Sequence, residues 1–168
     1  MHASAGGTRL LAALIASLAT APVALGSDKV LEFDGMAGVD RPYTGSANAI
    51  RGVNGGGLPW IIASGKGEVK ADGRVEVKVR GLVLADDPAV PAARRLTNPS
   101  ATFNVVVSCL SRDASGAATT VNVTATGFPA TPTGDAKIEA ALELPRPCIA
   151  PILFVTSPAG AWFAATGG

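Results

Sequence analysis

The chain has 168 residues, 48% of them hydrophobic, enough for one domain with a real core. Its 14 Lys and Arg stand against 13 Asp and Glu, a formal charge of +1 that excludes the basic excess needed to hold nucleic acid or an anionic membrane surface. Its one histidine, His2, lies in a segment that reads as removable. The remainder then lacks the commonest general base, the commonest metal ligand and the usual partner of a serine or cysteine nucleophile, which argues against much of catalysis.

The first predicted element is a secretory signal over residues 1–26. Arg9 is its one positive charge, Leu10–Ala19 its apolar core, and Ala24-Leu25-Gly26 a small-x-small site that predicts cleavage before Ser27, with cuts after Ala21 or Ala24 as alternatives. A core of about ten residues is half of what a spanning helix needs, so the mature form is expected to have no membrane span. No Arg-Arg pair precedes the core, which favours the general secretion route over twin-arginine export. No cysteine adjoins the cleavage site to take a lipid, and the ending Ala161–Gly168 is too short and too small for a tail anchor. Removing Arg9 leaves 13 basic and 13 acidic residues, a neutral domain over 27–168.

Helical periodicity is almost absent after the signal, while Gly and Pro punctuate the chain at the rhythm of an all-β domain. Lys29–Phe33 opens it. Asn48–Val53 is a weak strand, and Leu58–Ala63 a short apolar one. Gly67–Ala71 and Val75–Arg80 flank Asp72-Gly73, a strong hairpin signal; Val75, Val77 and Val79 alternate with charges, so one face is buried and the other wet. Gly81–Leu84 is apolar on both faces and is expected to lie under another layer. Thr102–Leu110 is β-branched and largely buried, and Thr119–Thr126 sets valine beside threonine and asparagine. In Lys137–Leu144, Ile138, Ala140, Leu142 and Leu144 face in; period-2 alternation, Gly134 and Pro145 decide for strand over helix. Ile152–Thr156 and Ala161–Ala164 close the domain around the turn Ser157–Gly160. Ala85–Ser100 and Gly127–Gly134 read as the longer loops.

Export also decides the cysteines. Cys109 and Cys148 are the only two, so one connectivity exists, and outside the cytosol a disulfide is expected. There is no CxxC motif, and two isolated cysteines are too few for zinc. Eight or nine short strands pack as two sheets or close into a barrel. The expected fold is all-β, a single β-sandwich of immunoglobulin-like type; the tryptophans do not lie between the cysteines as in antibody domains, so the likeness is one of architecture.

Candidate chemistry is sparse, and no cofactor or metal is expected. Ser64-Gly65-Lys66 has the residue types of a Ser–Lys dyad but reads as a polar turn. Glu139 and Glu143 share the outer face with Lys137, yet four residues along a strand is about 13 Å, too far for paired-carboxylate hydrolysis. Asp34, Asp40, Asp86 and Asp87 are oxygen ligands without an EF-hand pattern and read as turn aspartates. Asn54-Gly55-Gly56-Gly57 lacks the lysine of a phosphate loop, and Asn122-Val123-Thr124 is a sequon inside a strand. Arg94-Arg95 reads as a solvated turn. Trp60 and Trp162 are expected in the core; Tyr43 and Phe128, in turn-like sequence, are the better candidates for ligand contact.

Thr97–Phe103, Val107–Leu110, Phe128–Ala136, Leu144–Pro151 and Phe154–Phe163 resemble segments of a group of uncharacterised exported bacterial proteins. The resemblance covers most of the mature chain and implies an exported domain with a cysteine pair; it assigns no functional residue. The expected role is non-enzymatic, binding or structural, with a partner at the cell envelope or outside the cell. The alternatives are a histidine-free, carboxylate-dependent hydrolase or lyase acting on polysaccharide, and a calcium-stabilised structural module.

Overall fold

The computed structural model describes His2 and residues 28–167. The expected signal, residues 1–26, and its cleavage site lie outside the described residues, His2 apart. The rest is all-β: β1 (Lys29–Asp34), β2 (Ala37–Gly38), β3 (Trp60–Ile61), β4 (Ser64–Lys70), β5 (Arg74–Arg80), β6 (Val83–Leu84), β7 (Thr102–Arg112), β8 (Ala118–Pro129), β9 (Ala136–Ala141), β10 (Ile149–Thr156) and β11 (Trp162–Ala165), with one 3-10 turn at Ala92–Arg94.

Sheet I has the order β1-β4-β5-β9 and sheet II the order β2-β11-β10-β7-β8, every neighbour pair antiparallel; β3 and β6 form a small ribbon, and no sheet closes into a barrel. Sheet I supplies Val69, Val75, Val77, Val79 and Ile138 to a core that sheet II completes with Val105, Val107, Leu153, Val155 and Ala164. The chain crosses from one sheet to the other between β1 and β2, between β2 and β4, between β5 and β7, between β8 and β9, and between β9 and β10. Long-range pairing of β9 with β5 and of β10 with β7 therefore holds the two layers in one topology.

The β4–β5 hairpin forms where expected. Gly73 takes φ +90°, its N–H donates to the Lys70 carbonyl at 2.9 Å, and Asp72 accepts from the Arg74 N–H at 3.0 Å. A side chain at Gly73 would run into the Leu142 carbonyl. Leu82, Val83 and Leu84 are buried, as their apolar run predicts. Residues 137–141 are strand, with Ile138 inside and Lys137 and Glu139 exposed.

Three segments differ from expectation. Asn48–Val53 is a tight turn closed by reciprocal Ile50 and Val53 backbone bonds of 3.1 and 2.9 Å; Arg51 and Gly52 both sit at positive φ (50° and 79°), the requirement of a two-residue primed turn. Ser64-Gly65-Lys66 belongs to β4, because the hairpin continues far enough to pair Ser64 with Arg80. The Gly127–Gly134 loop is shorter than expected: β8 runs on to Pro129 through a bulge, where Phe103 faces Phe128 but Val105 faces Ala125. Gly127 absorbs the extra residue at φ +86°, and its N–H donates to Asn104 Oδ1 at 3.0 Å.

Cys109, fully buried in β7, is bonded to Cys148 in the crossing from β9 to β10, with a Cα–Cα distance of 4.8 Å.

Candidate functional site

Strand register alone builds a site on the outer face of sheet I. The hairpin sets Glu68 opposite Glu76 and Lys66 opposite Lys78. The outer strands extend both rows: β1 adds Glu32 beside Glu68 and Asp34 beside Lys66, and β9 adds Glu139 beside Glu76 and Lys137 beside Lys78. A row of glutamates (Glu32, Glu68, Glu76, Glu139) thus crosses the sheet next to a row of Asp34, Lys66, Lys78 and Lys137. Direct cross-strand neighbours lie about 4.5–5.5 Å apart at Cα, whereas successive residues on one face of a strand are about 7 Å apart.

Like charges placed directly opposite one another destabilise a sheet, and this face relieves them along the strands. Lys29 reaches Glu32 at 2.8 Å and Glu68 at 2.7 Å; Lys70 reaches Glu68 at 3.3 Å; Lys137 reaches Glu139 at 2.6 Å. The Lys29 ammonium, helped by Lys70, holds the Glu68 carboxyl below the usual range. Glu32 and Glu68 together raise the Lys29 ammonium, and Glu139 raises that of Lys137. Every one of these shifts favours the charged form. Three of the four glutamates thus have a lysine partner on their own sheet, whereas Glu76, Asp34, Lys66, Lys78 and Arg80 make no ion pair among the described residues.

The face is concave. It borders an open groove of about 990 Å³, floored by β1, β4, β5 and β9 and walled by Pro129 at the end of β8 and by Thr131 and Asp135 from the connection between β8 and β9. That wall is stiff: Asp135 accepts from the Gly81 N–H at 3.0 Å, the Asp135 N–H donates to Thr131 Oγ1 at 2.9 Å, and the Leu82 N–H donates to the Gly134 carbonyl at 3.0 Å. Comparison with protein-family models, with curated proteins and with solved structures finds no match to this chain. The groove's chemistry therefore rests on its own residues.

The sequence candidates fall in different places. Glu139 lines the groove; Glu143 lies beyond the end of β9 and does not. The carboxylate that faces Glu139 is Glu76, on a strand more than sixty residues earlier. Tyr43 is exposed in the turn after Arg41-Pro42, and Phe128 is half-buried in β8 opposite Phe103; no ring contact joins them among the described residues. Trp60 stacks on Phe163 at 3.8 Å between centroids and Trp162 lies 6.0 Å from Phe154, so these aromatic rings belong to the core. Asp87 binds Arg41 at 2.7 Å, Asp86 binds Arg95 at 3.3 Å, and Asp40 accepts the Arg41 N–H. Among the described residues no three His, Cys, Asp or Glu side chains converge to hold a metal. The Asn122 amide of the sequon donates to the Arg51 carbonyl at 3.0 Å.

Lys78, Arg80 and Glu76 belong to no motif, and Lys66 stands out only as half of a Ser–Lys pair, not as a groove cation. The signal that could have found them is register: once the Asp72-Gly73 turn is placed, Glu68 must face Glu76 and Lys66 must face Lys78.

Proposed function

We propose that this chain is an exported, non-enzymatic binding module of the cell envelope or the extracellular space, and that its ligand lies in the groove of sheet I. The observation that carries this reading is the charge layout of the groove: Glu32, Glu68 and Glu139 have counter-ions on the same sheet, while Lys66, Lys78 and Arg80 face the opening without an ion pair among the described residues, as do Asp34, Glu76 and Asp135. The ligand that fits is an extended polar polymer that places an anionic group at the Lys66–Lys78–Arg80 end. A groove of mixed charge on a hydrogen-bonded sheet needs little reorganisation to bind a ligand that matches its pattern.

The frame is read as an immunoglobulin-like sandwich. Support comes from the long-range pairs β5 with β9 in one sheet and β7 with β10 in the other, and from the two hairpins that flank β7 and β10. The Cys109–Cys148 bridge supports export, as does the absence, among the described residues, of any helix long and apolar enough to cross a membrane. Membership of the exported bacterial group belongs to the same reading.

Polygalacturonate is the first probe, with a neutral cello-oligosaccharide as control. Binding of the anionic polymer at low salt is expected, weakening as salt rises and lost in Lys66→Glu/Lys78→Glu. Absence of binding, or equal binding by the double variant, overturns the groove as an anion site. Intact mass after alkylation tests export: a mature mass starting near Ser27, recovered outside the cells without a reactive thiol, is expected.

A second reading has one observation in its favour. Glu76 and Glu139 are direct cross-strand neighbours in the groove, the kind of close carboxylate pair that a retaining glycosidase uses. Polysaccharide hydrolysis by the purified chain, abolished in Glu76→Gln, would establish it.

A further inference from the structure

The two sheets expose four edges, and three are guarded. Edge strand β1 carries Lys29, Glu32 and Asp34, and edge strand β9 carries Lys137 and Glu139. Charges on an edge oppose pairing with another chain. Edge strand β2 is two residues long, and the chain guards the rest of that side itself: Trp162 of β11 donates to the Asn54 carbonyl and accepts from the Gly56 N–H, both at 2.8 Å.

The fourth edge is β8. Its twelve residues, ATTVNVTATGFP, contain no charge, and Thr119, Thr120, Val121, Val123, Thr124 and Thr126 are β-branched. The bulge at Gly127 and the proline at 129 lie at its far end, so 118–126 is a regular strand. Among the described residues no backbone hydrogen bond reaches the open side of that stretch. Its exposed face continues into an apolar row: Thr120 pairs with Leu110, and Leu110 with Ile149, which are 41% and 54% exposed.

We infer that β8 is a strand-addition site through which two copies of this chain pair, antiparallel and about a two-fold axis near Asn122, joining their second sheets into one. A second copy fits because the strand complements itself. Residues 118–126 laid antiparallel on 126–118 set threonine against threonine and valine near valine, pairs that stabilise a sheet, with no like charges opposed. Such an interface is isologous and closed. The charged edges β1 and β9 offer no comparable match to β8. Nine residues a side make a small interface, so the dimer is expected to be concentration-dependent.

Sedimentation of the disulfide-bonded chain across a dilution series tests this. A reversible monomer–dimer equilibrium is expected. Thr120→Lys/Thr124→Lys places lysines against lysines across the axis, on side chains that are exposed in the monomer, and is expected to raise the dissociation constant by about tenfold or more, with unchanged circular dichroism and melting. A parent that stays monomeric at near-millimolar concentration overturns the inference, as does a dimer that the double variant leaves intact. Neither lysine lies in the groove, so the result is independent of ligand binding there.

Discussion

The outer faces of the two sheets are opposites. On sheet I the alternation along β5 is strict, Arg74, Glu76, Lys78 and Arg80 exposed and the three valines buried, and water reaches the whole outer side. On sheet II the equivalent side is closed over the middle of its central strands: Val106, Ser108, Phe154 and Thr156 face away from sheet I yet are 5% exposed or less, and only the end at Leu110 and Ile149 and the edge strand β8 stay open. What closes it is a stretch of chain outside the sheets, residues 39–57. Arg51 Nη1 donates to the Ser108 carbonyl at 2.9 Å, the Arg51 carbonyl accepts from Asn122, and Val39 and Gly56 bond to β11. The difference separates two jobs. Sheet II is held by burial on both sides and carries the stability. Sheet I is held by burial on one side, and its other side is free to meet a ligand.

The largest test of that division is Phe154→Ala. It removes a fully buried ring from the covered side of sheet II and is expected to cost about 3–5 kcal/mol in chemical denaturation, while Lys78→Ala on sheet I leaves the midpoint nearly unmoved. Equal losses would erase the distinction between the faces. Next is Arg51→Ala, which removes a charged donor from the Ser108 carbonyl. A loss of about 2 kcal/mol is expected, with faster proteolysis confined to 39–57; an unchanged digestion pattern would mean that other contacts hold the cover down. Smaller, and of opposite sign, is Ser108→Ala. The Ser108 hydroxyl is buried under that cover and has no hydrogen-bond partner among the described residues, so replacing it is expected to stabilise by about 1 kcal/mol. A destabilised variant would show that the hydroxyl is satisfied after all.

The two faces were also unequally legible in the sequence. Sheet I announces itself locally: valine–charge alternation and an Asp-Gly turn specify β4, β5 and their register from neighbouring residues alone. Its site was half legible for the same reason. Glu68, Glu76, Lys66 and Lys78 follow from the turn, but Glu139 and Lys137 join them only because β9 returns beside β5 after two strands of the other sheet, and nothing local encodes that return. Sheet II showed its double burial in the continuous apolar runs of β7 and β10, without showing what covers it. Residues 48–53 look like a poor strand because their hydrogen bonds close a turn, and the Asn54 carbonyl and Gly56 N–H bond to β11, more than a hundred residues later. The cysteines were legible because two residues admit a single pairing.

The smallest effect sharpens the comparison most, since it exists on one face only. The Lys29–Glu68 pair lies on the open side of sheet I. Glu68 is held below its ordinary pKa, so its contribution to folding is complete above the ordinary glutamate range and is lost as pH falls through the lowered value. Lys29 is raised, so its contribution is complete below the ordinary lysine value of 10.5 and is lost as pH rises from there through the raised one. Glu68→Gln should therefore be less stable than the parent at neutral pH, with the gap closing below the glutamate range and closing again in strong alkali. Added salt should narrow it at every pH, because the pair is within reach of solvent. Phe154→Ala, measured in the same buffers, should keep its deficit throughout, because nothing it removes titrates. If the Glu68→Gln gap is flat with pH and salt, the charged rows do not stabilise sheet I.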